Sequence, residues 1–495
     1  MLEDVSACII AKNEEKNLPR LLESIKDKFF EIILVDTGST DKTVEIAKKY
    51  GCKVFHREWS GFADARNFAV EKATGKWVWH FDADTELENS EYERFKVFYR
   101  YMNNDIYEGI SVLYKNTGVD GRVKSYSTTV HIHKKTDYIK WIGKVHERVV
   151  NINTYTIVIP NFKVRVLHHG YSLGSIQKEK AKRNLKLIFD ELRSIKDKNS
   201  IDYVVNLFYA VQSYIALASI ENREKNLKRS IKYIERFDKV SNLLPRDSIF
   251  IKHFYVYASS VYLYLNDIEN AKKYVDEGLK VDQNYPDLLY NKAKIYQSLN
   301  DDIQASNYYI LFLKSLDNLK NTLESVITDF MAMASSVALK ELPEIIKKYG
   351  LKNKIEEIEN IWKESKGLYI GLALYSIIKE ESEDKAEKIL MKVYKIHNDS
   401  DVVYSLLGNL MKNKNIEKAL EFMEKAVEIN PLNPDANLFL AQFYERNNNS
   451  ILALNHYKNY IEATRDISVY PKVEKLINKT KKKLNINDNE IVNKI

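Results

Sequence analysis

Two carboxylates one residue apart, Asp82 and Asp84, close the apolar run Trp77-Val78-Trp79-His80-Phe81. Acids at that spacing can hold a hard divalent cation, and such a cation can neutralise a diphosphate as it departs. Alone, the pair is a weak signal, because a buried strand ending in an acidic turn looks the same. Two further segments strengthen it. The apolar run at 31–35 stops at Asp36 and turns through Thr37-Gly38-Ser39-Thr40-Asp41, and the run at 5–10 passes into Ala11-Lys12-Asn13-Glu14-Glu15. Each is a strand feeding a polar turn, the place where open α/β sheets expose their ligand edge. Spacing alone therefore reaches a nucleotide or phosphate site.

Holding those turns together requires a sheet. Residues 5–10, 31–35, 53–55 and 77–81 read as strands, and 18–26 and 62–72 as helices, the first with Leu18, Leu21, Leu22 and Ile25 at helical spacing. A further helix starts beyond Asp36, with the Ser and Thr of that turn as candidate caps. Alternation of strand and helix calls for a parallel α/β sheet. Residues 107–130 alternate around Gly118 and Asp120-Gly121, a hairpin able to carry the acceptor side of a cleft. A short strand at 164–167 runs into His168-His169-Gly170-Tyr171. His131 and His133 share one strand face and read as structural or acceptor-facing.

In order and spacing, Lys12-Asn13-Glu14-Glu15, Val35 to Asp41, Phe62-Ala63-Asp64-Ala65-Arg66-Asn67 and Asp82-Ala83-Asp84 strongly resemble glycosyltransferase family 2, with its GT-A (Rossmann-like) fold. The resemblance is most specific over residues 1–90 and weaker to 175. It implies an inverting, metal-dependent, hexosyltransferase-type enzyme that takes a sugar from a nucleotide diphosphate, UDP favoured. Ala11, Asn13, Glu14, Asp36, Gly38, Arg66 and Asp82 would bind the nucleotide sugar. Asp84, Asp82 and His168 would hold Mn²⁺ or Mg²⁺, the imidazole favouring Mn²⁺. Gly143-Lys144-Val145-His146-Glu147 is similar to the family's Gly-x-x-His-Glu segment, which makes Glu147 the expected general base and His146 the alternative. Many relatives carry an acid directly after the second Asp; here Thr85 stands there, with Glu86 one residue later.

Beyond residue 177 strand signals give way to amphipathic helices. Ala271 to Ala305 spans 34 residues, Ala386 to Ala419 spans 33 and Ala419 to Ala453 spans 34, the interval of tetratricopeptide-like repeats. Tyr404, Leu407, Gly408, Ala419, Phe422, Ala426 and Pro431 resemble that family's pattern. Copies at 258–286 and 289–314 are recognisable, while 200–245 and 320–365 are degenerate. The expected division is a catalytic domain at 1–175, a helical connector at 176–250, all-α repeats at 251–480 and a basic frayed tail at 481–495.

A chain of 495 residues with 45% hydrophobic and 29% charged side chains is globular and long enough for two or three domains. Only Cys8 and Cys52 are present, which argues for a reducing, cytoplasmic setting and against a disulfide framework. No leader pattern opens the chain and no apolar stretch approaches the ~20 residues of a membrane span. The lysines of the tail would allow at most peripheral attachment to a membrane surface. A net charge of +7, with both signs mixed throughout and no nucleic-acid motif, speaks against nucleic acid as a partner. The expected partners are the nucleotide-sugar donor, an acceptor peptide, protein or saccharide captured partly by the repeats, and a second copy of the chain docking through them. The rival reading is a GT-A scaffold without activity whose repeats bind a protein. Another nucleotide-sugar or nucleotidyl enzyme is disfavoured by the lack of a Gly-rich phosphate loop.

Overall fold

The aromatic run at 77–81 becomes the buried centre of a sheet. In the computed structural model, which describes residues 1–102, 106–117, 123–154, 156–169, 174–320, 329–379, 381–464 and 467–484, Trp77, Val78, Trp79, His80 and Phe81 are all buried. Strands β1 (Leu2–Ala11), β2 (Phe29–Asp36), β3 (Lys53–His56) and β4 (Trp77–Asp82) pair in parallel in the order β3-β2-β1-β4. Helices α1 (Leu18–Ile25), α2 (Thr43–Lys49) and α3 (Phe62–Lys72) join them. Leu18, Leu21, Leu22 and Ile25, four apolar positions on one face of α1, are buried against the sheet, as their spacing predicts.

The rest of the sheet departs from the expected parallel order. After the short strand β5 (Thr85–Glu86) and helix α4 (Asn89–Tyr101), the hairpin β6 (Gly109–Thr117) and β7 (Val123–Lys134) returns so that β7 lies antiparallel to β4. Strands β8 (Ile139–Ile142) and β9 (Arg148–Asn151) form a separate pair. Strand β10 (Lys163–His168) then runs parallel to β6 and antiparallel to β5. The result is one mixed eight-stranded sheet in the order β3-β2-β1-β4-β7-β6-β10-β5. A hairpin has antiparallel arms, so inserting it beside β4 forces mixed pairing, which local periodicity cannot reveal. The turn at Gly118 and Asp120-Gly121, Gly170-Tyr171 and the end of the basic tail lie outside the described residues.

Helices α5 (Gly174–Ser194), α6 (Ile201–Ile220) and α7 (Arg223–Asp238) follow the sheet. By length and composition α6 is long and apolar enough to cross a membrane, which corrects the expectation that no such stretch exists. In the fold 61% of its apolar window is buried, with Val204, Leu207, Phe208 and Val211 inside a helical core.

The chain divides into two units, Met1–Tyr308 with Leu323–Ala334, and Tyr309–Thr322 with Ser335–Ile495. Helical hairpins run through both. Ala271, Ala305, Ala386, Ala419 and Ala453 are each the fourth residue of their helices and each fully buried, so the small-residue period marks where paired helices approach. In the second unit Asp317 accepts the backbone N–H groups of Tyr369 at 2.8 Å and Ile370 at 3.0 Å, capping helix Leu368–Lys379 from a distant helix. A Cβ on Gly367 would lie 2.0 Å from that carboxylate. Gly367→Ala is therefore expected to lower the thermal midpoint of this unit by several degrees, with a stability loss of about 1–2 kcal/mol. Differential scanning calorimetry reads it, and an unshifted transition would contradict the cap.

Candidate active site

Three neighbouring strands deliver the acidic edge. β2 ends at Asp36, β1 at Ala11 and β4 at Asp82, and their registers pair Ala11 with Asp36 and Ile10 with Asp82. Asp36, Asp82 and, two residues on, Asp84 thus follow the carboxyl ends of adjacent parallel strands, as the sequence predicts.

Asp36 is buried and occupied locally. Its carboxylate accepts the N–H groups of Gly38 at 3.3 Å and Ser39 at 3.1 Å, and the His56 ring lies 3.1 Å away. Burial raises its pKa, but these hydrogen bonds outweigh it and leave the carboxyl below its ordinary value. Gly38 turns the chain with φ of +104°, a conformation open to glycine. Facing it across the edge, the Asn13 Oδ1 accepts the Thr40 N–H at 2.8 Å and the Asn13 N–H donates to Ser39 Oγ at 3.0 Å. The Glu14 N–H donates to Thr43 Oγ1 at 2.8 Å, and the Ala11 carbonyl accepts the Thr37 N–H at 3.0 Å. The two loops are thereby laced into one rim. Asp41, rather than the expected Ser or Thr, supplies the side-chain oxygen at the start of α2, accepting the Thr43 N–H at 3.0 Å. Ser39 and Thr40 are turned to Asn13 instead.

Arg66 occupies the centre. It projects from α3, is 2% exposed, and donates from Nη2 to Asp82 Oδ1 at 2.7 Å and from Nε to Glu147 Oε1 at 2.8 Å. Its guanidinium lies 4.8 Å from the centre of the Trp141 ring, and Nη1 is buried with no hydrogen-bond partner among the described residues. Burial opposes its charge, but the two carboxylates more than offset this and raise its pKa. For Asp82, burial raises the pKa and the Arg66 charge outweighs it, holding the carboxyl down to about 2. The sequence suggests a surface pair between Arg66 and Asp64 as the bland alternative. Asp64 instead pairs with Arg57 at 2.9 Å, and Arg66 links two segments 81 residues apart.

Glu147 and His146 sit on a loop clamped from both sides. On one side, Asn67 of α3 exchanges hydrogen bonds with the Trp141 backbone at 2.9 and 3.0 Å, and the Phe62 N–H donates to the Lys144 carbonyl at 3.0 Å. On the other, Glu191 of α5 accepts the Lys144 N–H at 2.9 Å, Asp202 of α6 accepts from Arg148 at 2.9 Å, and Val145 packs on Ile188 and Ala210. Gly143 at φ of +95° and His146 at +52° make the sharp turn. The His146 ring stacks on Tyr209 with centroids 4.1 Å apart, and burial pushes its pKa down to about 4.

Asp84 and His168 adjoin, with Oδ1 and Nε2 3.3 Å apart, while Asn116 lies 2.8 Å from the other His168 nitrogen. Thr85 is fully buried and its hydroxyl donates to the Asp82 carbonyl at 2.6 Å, closing the turn between the two aspartates. A carboxylate in its place would be buried, whereas Glu86 reaches His169 at 3.2 Å. Asp82, Arg66, Glu147, His168, Asn116 and His131 share the wall of a cavity of about 230 Å³. Among the described residues no group of three metal-ligating side chains is gathered. Asn116, Tyr209, Glu191 and the role of Trp141 escape sequence reasoning; only Trp141 carries a signal, its adjacency to the Gly143 to Glu147 segment.

Beneath the site the Trp141 indole N–H is shared between Nε2 of His80 and of His133, each at 3.1 Å, and Tyr114 bonds His131. His133 is therefore structural, while His131 reaches the cavity wall. Burial lowers the pKa of His131 to about 3 and of His133 to about 4. Unfolded histidine titrates at ~6.5, so between that pH and the folded values the unfolded chain binds more protons. Stability should fall as pH drops from 7 through this window. Glu31, whose pKa burial raises but whose bonds to Lys53, Ser6 and Thr74 bring down to about 2, adds a further loss below the ordinary carboxylate pKa of ~4.3. Urea midpoints at pH 7.5, 5.5 and 4.5 should decline in that order; a flat or rising series would contradict the neutral-histidine reading.

Residues 6–160 match the family model for glycosyl transferase family 2, and residues 253–285 and 401–431 match that for the tetratricopeptide repeat. An uncharacterized glycosyltransferase of Rickettsia conorii is 37% identical over 107 residues, 22% of this chain and 38% of its own length. The SPbeta prophage-derived glycosyltransferase SunS of Bacillus subtilis is 28% identical over 246 residues, 47% of this chain and 54% of its own. A TPR repeat-containing protein of Synechococcus elongatus is 46% identical over 87 residues, 17% of this chain and 22% of its own. The chain thus matches between 22% and 54% of the length of these relatives.

Proposed function

We propose, for a chain whose residues 6–160 match glycosyl transferase family 2 and whose later helices match the tetratricopeptide repeat, a glycosyltransferase that moves a sugar from a nucleotide diphosphate, UDP favoured, to an acceptor with inversion at the anomeric carbon. One observation carries the reading: buried Arg66 joins Asp82, at the donor edge, to Glu147, on the loop across the cavity. Glu147 is the acceptor-side base, aimed by the guanidinium it shares with Asp82. His146 is disfavoured for that role because its ring is committed to Tyr209. Asp36, Ala11, Gly38, Asn13 and Glu14 form the rim for the nucleotide, while the cavity of about 230 Å³ suits one small group such as the transferred sugar or its acceptor hydroxyl.

Asp84 and His168, with Oδ1 and Nε2 3.3 Å apart, would hold a divalent cation as a carboxylate and imidazole pair, while Asp82, expected as a third ligand, is engaged by Arg66 and is not gathered with them among the described residues. When bound there, Mn²⁺ or Mg²⁺ supplies charge compensation for the departing diphosphate. Asp84→Ala is expected to weaken Mn²⁺-dependent binding of UDP-sugar by about tenfold or more, a loss of ~1.4 kcal/mol or greater. Calorimetric titration with and without Mn²⁺ measures this, and unchanged affinity would remove Asp84 from the metal set. A thermal-shift panel of nucleotide sugars, followed by assay of released nucleotide diphosphate, tests the function itself. No stabilisation and no release with any donor would overturn it.

A further inference from the structure

Helix α5 has two working faces. Ile188 and Glu191 point at the loop carrying Glu147, whereas Lys182, Leu185, Lys186, Phe189 and Arg193 recur at helical spacing on the opposite side. That second face forms a groove of about 450 Å³ with the end of α6 and the start of α7. Leu185, Tyr214 and Leu217 make its apolar floor. The charges on its rim do not balance. Glu221 is paired by Lys178 at 2.6 Å and Lys182 at 3.4 Å, and Asp190 by Arg193 at 2.9 Å. Lys186, Lys225 and Arg229 also line the groove, are exposed, and have no carboxylate within ion-pair distance among the described residues. The concavity continues past Lys225 and Arg229 to Arg223 and Lys228.

We propose that this groove binds an acidic segment of a polypeptide, with carboxylates on Lys186, Lys225 and Arg229 and an apolar side chain on the Leu185 and Leu217 floor. From Lys182 to Arg193 the helix rises about 16 Å, the length of roughly five residues of extended chain. A lone headgroup phosphate would use one point of so long a track. Single-stranded nucleic acid would need exposed rings for its bases, and here Phe189 is stacked on Tyr233 at 5.6 Å while Tyr214 lies 5.7 Å from the same ring. Asp190 and Glu221 would also oppose an unbroken phosphate backbone, whereas a peptide can place carboxylates only where the cations stand. An occupant would lie one helix diameter, about 10–12 Å, from the loop of residues 144–147. Binding here makes no use of the transferase reading, so the two fail separately.

The test is fluorescence anisotropy on the full chain with a labelled dodecapeptide of alternating Glu and Leu at low salt, compared with the Gln/Leu peptide and a single-stranded RNA dodecamer. The triple variant Lys186→Glu, Lys225→Glu, Arg229→Glu is set against Lys388→Glu, Lys392→Glu, Lys395→Glu, which changes net charge equally on the exposed face of another helix. The acidic peptide should bind at least about tenfold more tightly than its Gln analogue, and lose about tenfold in the groove variant alone. Equal loss in both variants, or tighter binding of the RNA, would overturn the proposal. Should the groove variant lose its cooperative unfolding transition, Lys186→Ala and Lys225→Ala are read singly, with a loss of about threefold each expected and no loss overturning.

Discussion

Arg66→Leu should destabilise the N-terminal unit by about 3–5 kcal/mol and abolish sugar transfer, the largest effect expected of any single substitution in the site. The guanidinium is buried and is the charge partner of both Asp82 and Glu147. Leucine removes the cation and leaves both carboxylates without the partner they share. Arg66→Lys keeps the charge but offers a point donor instead of a fork, so it should recover part of the stability and little activity. Urea unfolding and nucleotide-diphosphate release measure the two effects. Arg66→Lys with full transfer would show that the bridge to Glu147 is not needed, and Arg66→Leu with an unshifted urea midpoint would show that the charge is not structurally required.

The second large effect is Glu147→Gln, for which turnover should fall by about 10² or more while donor affinity is retained. Glutamine keeps the shape and can still accept from Arg66 Nε, so the loop held by Glu191, Asp202 and Val145 should stay in place. What is lost is proton affinity at the acceptor face. A kcat near normal would move the base elsewhere. A rise in donor Kd would mean that Glu147 acts on the nucleotide side through Arg66 and Asp82.

The coupling of these two residues also explains why the middle of the chain matters to the site. Residues 176–250 are expected from sequence to be a connector, yet Glu191, Asp202 and Tyr209 contact the loop at Lys144, Arg148 and His146. Those contacts join segments about 50 residues apart or more, and each is an unremarkable polar or aromatic residue on a helix. Nothing local distinguishes them from surface positions.

Strand runs ending in acids, a turn on Gly38 and a 34-residue alanine period are local patterns, and each maps directly onto an element or a close helix contact because side-chain period and backbone conformation are set within a few residues. Those features the amino-acid order determined unaided, including the shared edge for Asp36, Asp82 and Asp84. The mixed order of the sheet, the burial of Arg66 between Asp82 and Glu147, and the diversion of the His146 ring to Tyr209 were decided only in three dimensions. An arginine on a helix is by itself indifferent between solvent and core; it goes inside here because two distant carboxylates arrive where they can offset the cost of its burial.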